Sequence, residues 1–269
     1  MPNSDSDIVS KISFGKGLDT DLITPPIFSD KEEERLYRKQ RLAAAFRLFG
    51  HYGFDEGVAG HISVRDPILT DCFWVNPMSV HFSLIKVSDL VLVNHDGEIK
   101  EGKRAINKAA FAIHSRIHLH KPEINAVAHA HSIYGRTWSS LGRFLDPITQ
   151  DACTFYENQV IYDVYKGVVA DCNEGDDIAS LLADKSTVIL QNHGLLSTGK
   201  SVESAAWLFI LMDKCCKSQI LAEAVGKPKI IPHDVAVKAR TYISNEVTMF
   251  ANFQPLYNMI LSQQADFLD

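Results

Sequence analysis

The sequence predicts an α/β domain in which helices pack around a sheet. Helical and strand-like patterns alternate along the chain, and no linker or repeat interrupts residues 30–250. The 269 residues are 46% hydrophobic and 22% charged, a composition that can bury a core without disulfide staples. We therefore expect residues 31–269 to form one domain and residues 1–30, with weak periodicity and several Pro and Gly residues, to be an N-terminal extension.

Apolar periodicity and end signals predict four helices. Asp30 is a good N-cap for the first, acidic residues fill its first turn, and Gly50 ends it. Ser201 and Gly226 bound the strongest helical pattern. The predicted helices are residues 31–49, 107–120, 202–225 and 234–250.

Short apolar runs between these helices predict strands. The run that begins at Leu90 closes on the turn His95-Asp96-Gly97, and another closes on Asn192-His193-Gly194. The predicted strands are residues 60–64, 72–75, 90–94, 124–130 and 186–191. We expect the first three to form one edge of an antiparallel sheet.

Composition excludes several classes of protein. The net charge is -6 and basic residues are scattered, which argues against a nucleic-acid partner. No apolar run approaches the roughly 20 residues of a membrane span. Five cysteines without a C-x-x-C pair, and an acidic N-terminus where a secretory signal would be basic, favour a cytoplasmic protein with reduced thiols.

Three histidines form a candidate metal site. His129 and His131 lie two residues apart at the end of a predicted strand, so their side chains share one face. His193 follows another predicted strand, where Gly194 allows a tight turn. Three neutral imidazoles with an open position are typical of catalytic zinc, and iron(II), cobalt and manganese also accept them. The alternative is a chance pair of histidines on a strand.

The segments that carry these histidines resemble the class II aldolase/adducin family, adducin-like subgroup. The resemblance rests on residues 124–132, 188–197 and 60–65, in the family's order, and extends over roughly residues 35–230. It implies a three-layer α/β/α domain with a mostly antiparallel central sheet, usually a homotetramer. It also implies a divalent metal on His129, His131 and His193, with zinc the first choice and iron(II) or manganese as alternatives.

The chain departs from the aldolases of this family at the acid/base position. There a Pro-Ser-Ser-Glu motif precedes the histidine that corresponds to His114, whereas this chain has Asn107-Lys108-Ala109-Ala110. A methyl group cannot carry a proton, so Ala110 argues against a standard phospho-sugar aldolase. His114 and His118 share a helix face, and we expect them to be structural.

Comparison with the family's pocket motifs also suggests substrate-binding residues. His61 stands where the aldolases have an Asn and is the candidate catalytic base, although a turn histidine bonded to local backbone is an equal alternative. Lys108 could bind a substrate carboxylate or be solvated at the helix start. The candidate substrate-binding residues are Ser79, Asn107, Lys108 and Gln150.

Two hypotheses about function follow. The first is a metal-dependent enzyme, a lyase or an iron-dependent oxygenase or decarboxylase, that acts on a small polar carbonyl or carboxylate substrate. The second is a non-catalytic, adducin-like oligomeric binding or scaffold module. The three histidines favour the first hypothesis, and Ala110 favours the second.

Overall fold

A central sheet of eight strands organises the protein. The computed structural model describes residues 8–9, 23–167 and 172–269, so most of the predicted N-terminal extension lies outside the described residues. The strands are β1 His61–Arg65, β2 Cys72–Val75, β3 Val91–Asn94, β4 Ile99–Glu101, β5 Ala126–Ala130, β6 Gln159–Tyr162, β7 Thr187–Leu190 and β8 Gly194–Gly199. Their order is β4-β3-β2-β1-β5-β8-β7-β6, and every neighbouring pair is antiparallel except β6 and β7.

Helices cover both faces of this sheet. They are α1 Lys31–His51, α2 Lys108–His120, α3 Ile133–Ser139, α4 Asn173–Leu182, α5 Val202–Val225, α6 His233–Ile243 and α7 Glu246–Gln264. Helix α1 begins where predicted because the Asp30 carboxylate accepts a hydrogen bond from the Glu32 backbone N–H at 2.8 Å.

The core is divided by the sheet. The largest apolar cluster contains Phe46 of α1 and Phe209 of α5, a second contains Ile113 of α2 and Ile178 of α4, and a small third one lies at β2 and β3. Along β5, Ala126, Ala128 and Ala130 belong to the first cluster and Val127 to the second. Since side chains alternate along a strand, His129 lies on the face that α2 covers. This is the three-layer α/β/α arrangement expected from the sequence.

Several predicted elements are confirmed, and one is wrong. β1, β2 and β3 form the antiparallel edge, and α5 has its predicted bounds. The last helical pattern is two helices instead of one, because Asn245 caps α7 by accepting from the Thr248 backbone N–H at 2.9 Å. No helix in the described ranges is both long and apolar enough to cross a bilayer.

Candidate metal centre

The three histidines meet because two antiparallel strands lie side by side. β5 ends at Ala130, and β8 begins at Gly194, with Ala130 paired to Leu195. The end of one strand therefore lies beside the start of the other. His129 on β5 and His131 just beyond it face His193, which immediately precedes β8.

The distances are short enough for one ion to contact all three rings. Ring centroids are 4.7 Å apart for His129 and His193, 5.0 Å for His131 and His193, and 5.2 Å for His129 and His131. One nitrogen from each ring lies within 4.8 Å of the other two. Among the described residues, this is the one group of three such side chains with metal-ligand spacing.

Main-chain contact fixes the tautomer of His129. Its Nδ1 lies 2.8 Å from the Leu195 carbonyl oxygen. A carbonyl oxygen only accepts, so Nδ1 carries the proton and Nε2 keeps its lone pair. Metal-binding histidines are commonly oriented through the second nitrogen in this way.

Burial keeps these imidazoles neutral. It lowers the pKa of His129 well below the usual 6.5, and the neighbouring histidines lower it further. For His193, burial and then His131 lower the pKa to about 4. Burial, followed by the charge of Arg136, lowers the pKa of His131. At neutral pH all three rings therefore offer lone pairs.

Gly194 allows the two strands to approach closely at this point. A Cβ built on Gly194 would lie 3.2 Å from the Ala130 carbonyl oxygen and 3.6 Å from Cε1 of His129. The turn before it uses a positive φ of 58° at Asn192, a residue type that tolerates this conformation. The sequence Asn-His-Gly thus matches the local geometry that presents His193.

A cavity of about 280 Å³ opens beside the three rings. This is near the lower end of the size range of ligand pockets and suits a small molecule. The described part of its wall contains no lysine or arginine. It is lined by Val58, Ala59, Gly60, His61, Asn107, Ala109, Ile113, His114, His129, His131, Tyr165, Gly167 and His193.

His61 belongs to the wall of this cavity. It pairs with His129 across β1 and β5, and the two ring centroids are 6.2 Å apart. The residue is 5% exposed, and its Nδ1 has no hydrogen-bond partner among the described residues. Burial, then the neighbouring histidines, hold its pKa well below the usual value. A neutral His61 can accept or donate a proton, but its role as a base stays a prediction.

The four candidate substrate-binding residues do not all lie at this cavity. Asn107 does, and it also caps α2: its Oδ1 accepts from the Ala109 backbone N–H at 2.8 Å, and its Nδ2 donates to the Val58 carbonyl at 3.1 Å. Ser79, Lys108 and Gln150 are exposed and are absent from the described wall. Their assignment as substrate-binding residues stays a prediction.

Helix α2 brings two further histidines to the same face of the sheet. The Ser63 hydroxyl on β1 lies 2.7 Å from Nδ1 of His114 and 2.8 Å from Nε2 of His118. Burial lowers the pKa of His114 to about 3, and burial, followed by Arg65, holds that of His118 well below 6.5. His114 is a lining residue of the cavity, whereas the side chain of Ala110 lies outside the described part of the chain.

Sequence reasoning missed several neighbours of the site. Tyr165 lines the cavity. Glu56 forms an ion pair with Arg136 at 2.9 Å and lies close enough to His131 to affect its pKa. The sequence did indicate Ser63, because it lies two residues after His61 on a predicted strand and therefore on the same face. Tyr165 and Glu56 lie in loops, where no periodicity marks them.

Comparisons with known proteins agree with this geometry. Residues 40–220 match the model of the family "Class II Aldolase and Adducin N-terminal domain". The chain is 41% identical to "Decarboxylase NovR" of Streptomyces niveus, over 90% of this chain and 90% of the relative. It is also 41% identical to "4-hydroxy-3-prenylphenylpyruvate oxygenase/4-hydroxy-3-prenylbenzoate synthase" of Streptomyces roseochromogenus subsp. oscitans, over 90% of this chain and 88% of the relative.

A solved structure is similar over nearly the whole chain. It is that of "L-fuculose 1-phosphate aldolase" from Glaciozyma antarctica PI12, with a TM-score of 0.84 and 40% sequence identity. The match covers 91% of this chain and 96% of the other.

Proposed function

This chain belongs to the class II aldolase and adducin family, and from that premise we propose that it is a divalent-metal enzyme acting on a small 2-oxo carboxylic acid. The observation that carries the proposal is the convergence of His129, His131 and His193 beside an open cavity. A 2-oxo acid combines the carbonyl and the carboxylate that such a site would bind.

The three residues suit a metal of the zinc or iron(II) type. They offer neutral nitrogens, and a main-chain carbonyl orients one of the rings. Because Gly194 has no side chain, the rings have room to come together. When bound, the ion would act as a Lewis acid on an oxygen of the substrate. Zinc is the first candidate, and iron(II) and manganese are the alternatives.

Two features favour a carboxylic acid over a phosphorylated sugar. Ala110 occupies the position that the resemblance assigns to the acid/base glutamate. The described cavity wall also lacks a lysine or arginine to pair with a phosphate dianion. Two relatives with 41% identity are named as a decarboxylase and as an oxygenase of a phenylpyruvate, which supports decarboxylation or oxygenation as the reaction class.

The chain's own residues would bind and orient the substrate. The apolar side of the cavity, with Val58 and Ile113, would exclude water from the reacting carbons. His61 is the candidate for proton transfer because its ring lies between α2 and the three-histidine cluster. The homotetramer and the cytoplasmic location expected from the sequence remain part of this proposal.

Elemental analysis of the purified protein, reported as metal per chain, tests the proposal. We expect about one equivalent in the wild type and in His51→Ala, an exposed histidine at the end of α1, and almost none in His129→Ala. In aerated buffer, with dioxygen as the oxidant and both of its atoms entering the shortened hydroxy acid product, carbon dioxide release from phenylpyruvate should follow metal content, and L-fuculose 1-phosphate should not be cleaved.

Two other outcomes would contradict the proposal, one for the metal and one for the substrate class. A wild-type protein without metal that added zinc, iron(II) or manganese cannot load would contradict the proposal and favour the scaffold hypothesis. Cleavage of the phosphorylated sugar with no turnover of phenylpyruvate would keep the metal but overturn the substrate class.

A further inference from the structure

Two buried imidazole nitrogens at the cavity have no hydrogen-bond partner among the described residues, Nδ1 of His61 and Nε2 of His114. Nδ1 of His114 is bonded to the Ser63 hydroxyl, whereas Nε2 is buried and has no hydrogen-bond partner among the described residues. His114 is 1% exposed, yet it is one of the residues that line the cavity. A buried polar atom without a partner is costly in free energy, and in a cavity wall a ligand can supply the partner.

The hydrogen-bond chain behind His114 restricts which form its ring can take. Ser63 has a single hydroxyl proton but contacts two imidazole nitrogens, on His114 and His118. With both rings neutral, it must donate to one and accept from the other. If Ser63 donates to Nδ1 of His114, then Nε2 of His114 carries a proton and Nε2–H of His118 donates to Ser63. The tautomers of the two rings are therefore coupled.

Surrounding contacts hold the ring of His118, the last member of this hydrogen-bonded series, in place. The ring of Phe73 stacks on His118 with centroids 5.0 Å apart. The Arg65 guanidinium donates to the His118 carbonyl oxygen at 2.6 Å. Neither contact uses a ring nitrogen of His118, so the ring is fixed while its Nε2 remains available to Ser63.

We propose that His114 is a substrate-binding residue whose Nε2–H donates a hydrogen bond to an oxygen of the bound 2-oxo acid. An oxygen of the substrate accepts, so its binding requires the tautomer in which Nε2 of His114 carries the proton; Ser63 and His118 are positioning residues that hold this tautomer when His118 donates to Ser63. The inference rests on the proposed function for the substrate class. It differs from the expectation that His114 and His118 are structural.

The position of His61 agrees with this assignment. Its ring centroid is 5.9 Å from that of His114 and 6.2 Å from that of His129. The space beside His61 thus extends from helix α2 to the three-histidine cluster. A small ligand held at the cluster could extend a second oxygen toward α2, where Nε2 of His114 is an unpaired nitrogen of that helix.

Two substitutions of His114 distinguish the contributions of its two ring nitrogens to binding. In His114→Gln the amide nitrogen stands near the place of Nε2, and in His114→Asn it stands near that of Nδ1. Calorimetric titration of the metal-loaded protein with phenylpyruvate gives the dissociation constant. We expect His114→Gln to stay within about threefold of the wild type and His114→Asn to bind at least about tenfold more weakly, the effect of one lost charge-assisted hydrogen bond.

Exposed His120 on the same helix supplies the matched control. We expect His120→Gln and His120→Asn to bind phenylpyruvate like the wild type. For the positioning role, His118→Leu removes the donor to Ser63, and His118→Gln restores an N–H there. We expect weaker binding in the first and recovery in the second, with metal content and melting temperature checked for every variant.

The outcomes separate this inference from the metal proposal. If His114→Asn folds, holds metal and binds phenylpyruvate as tightly as His114→Gln, the inference is wrong and the metal proposal stands. If the wild type holds no metal but the difference between the two variants persists, the metal proposal fails and the inference stands. Metal-loaded wild type without saturable phenylpyruvate binding would overturn the inference as stated.

Discussion

The Nδ1–H of His129 donates to the main-chain oxygen of Leu195 across two neighbouring strands, at 2.8 Å. The acceptor belongs to the backbone, so a change of side chain at Leu195 would not remove it. The orientation of this ring depends instead on the register and spacing of β5 and β8.

Gly194→Ala should therefore weaken metal binding by widening this strand pair. The added Cβ would lie 3.2 Å from the Ala130 oxygen, so a strand must shift, at a cost of about 1–3 kcal/mol of unfolding free energy. We expect metal affinity, measured by competition with a chelator, to fall about tenfold or more. Gly226→Ala is the control because a Cβ there meets nothing within 4 Å. Unchanged affinity in Gly194→Ala would show that the spacing of the strands does not orient the ligands.

Acidification should destabilise the protein through the histidines beneath α2. Burial lowers the pKa of His114 to about 3, and that of His118 lies well below 6.5. Because the unfolded chain takes up these protons near pH 6.5, it binds more protons than the folded state at pH 4–6, and stability falls as pH falls. Each histidine contributes a slope of up to about 1.4 kcal/mol per pH unit.

Urea unfolding of metal-free protein at several values between pH 7 and pH 5 measures this slope. His118→Gln should reduce this slope relative to the wild type measured at the same pH values. Equal slopes in the wild type and His118→Gln would contradict the assignment of His118 as a buried neutral residue.

Asp66 should be among the most sensitive polar positions of the fold. Its side chain is fully buried and accepts from Nε and Nη2 of Arg35 at 2.7 and 2.8 Å and from the Trp74 indole at 2.8 Å. Burial alone would raise its pKa, but these donors outweigh burial and lower it. Asp66→Asn replaces an acceptor by a donor and should cost about 3 kcal/mol of unfolding free energy.

Denaturant unfolding at pH 7 checks this expectation. Asp184→Asn, which removes an exposed carboxylate that pairs with Lys185, should have no measurable effect. A small loss of stability in Asp66→Asn would mean that the Arg35 contact contributes little to the fold.

Strand periodicity accounts for what could be predicted about the candidate site. Side chains two residues apart on a strand share a face, which was enough to group His129 with His131. His193 was a candidate because it lies in the Asn-His-Gly turn after another predicted strand, and the family resemblance supported it. Which face of α2 lies against β1 is a tertiary property, so the contact between Ser63 and the α2 histidines could not be predicted from spacing.

The missed elements have a local explanation. β8 begins and ends with glycine, at Gly194 and Gly199, so its pattern resembled a turn. Helices α3 and α4 have seven and ten residues, too few for apolar periodicity to stand out. Helix α5, bounded by Ser201 and Gly226, could be predicted to the residue.

The pairing of β5 with β8 also has a consequence for how the chain acquires its native state. His129 and the Leu195 oxygen are 66 residues apart in sequence, and α3, β6, α4 and β7 lie between them. A nascent or unfolded chain holds only the adjacent His129-Ala-His131 pair, and the third imidazole arrives after a long loop has closed. We therefore expect backbone and apolar contacts to form the central strand pairing and a bound cation to stabilise the sheet once it is assembled.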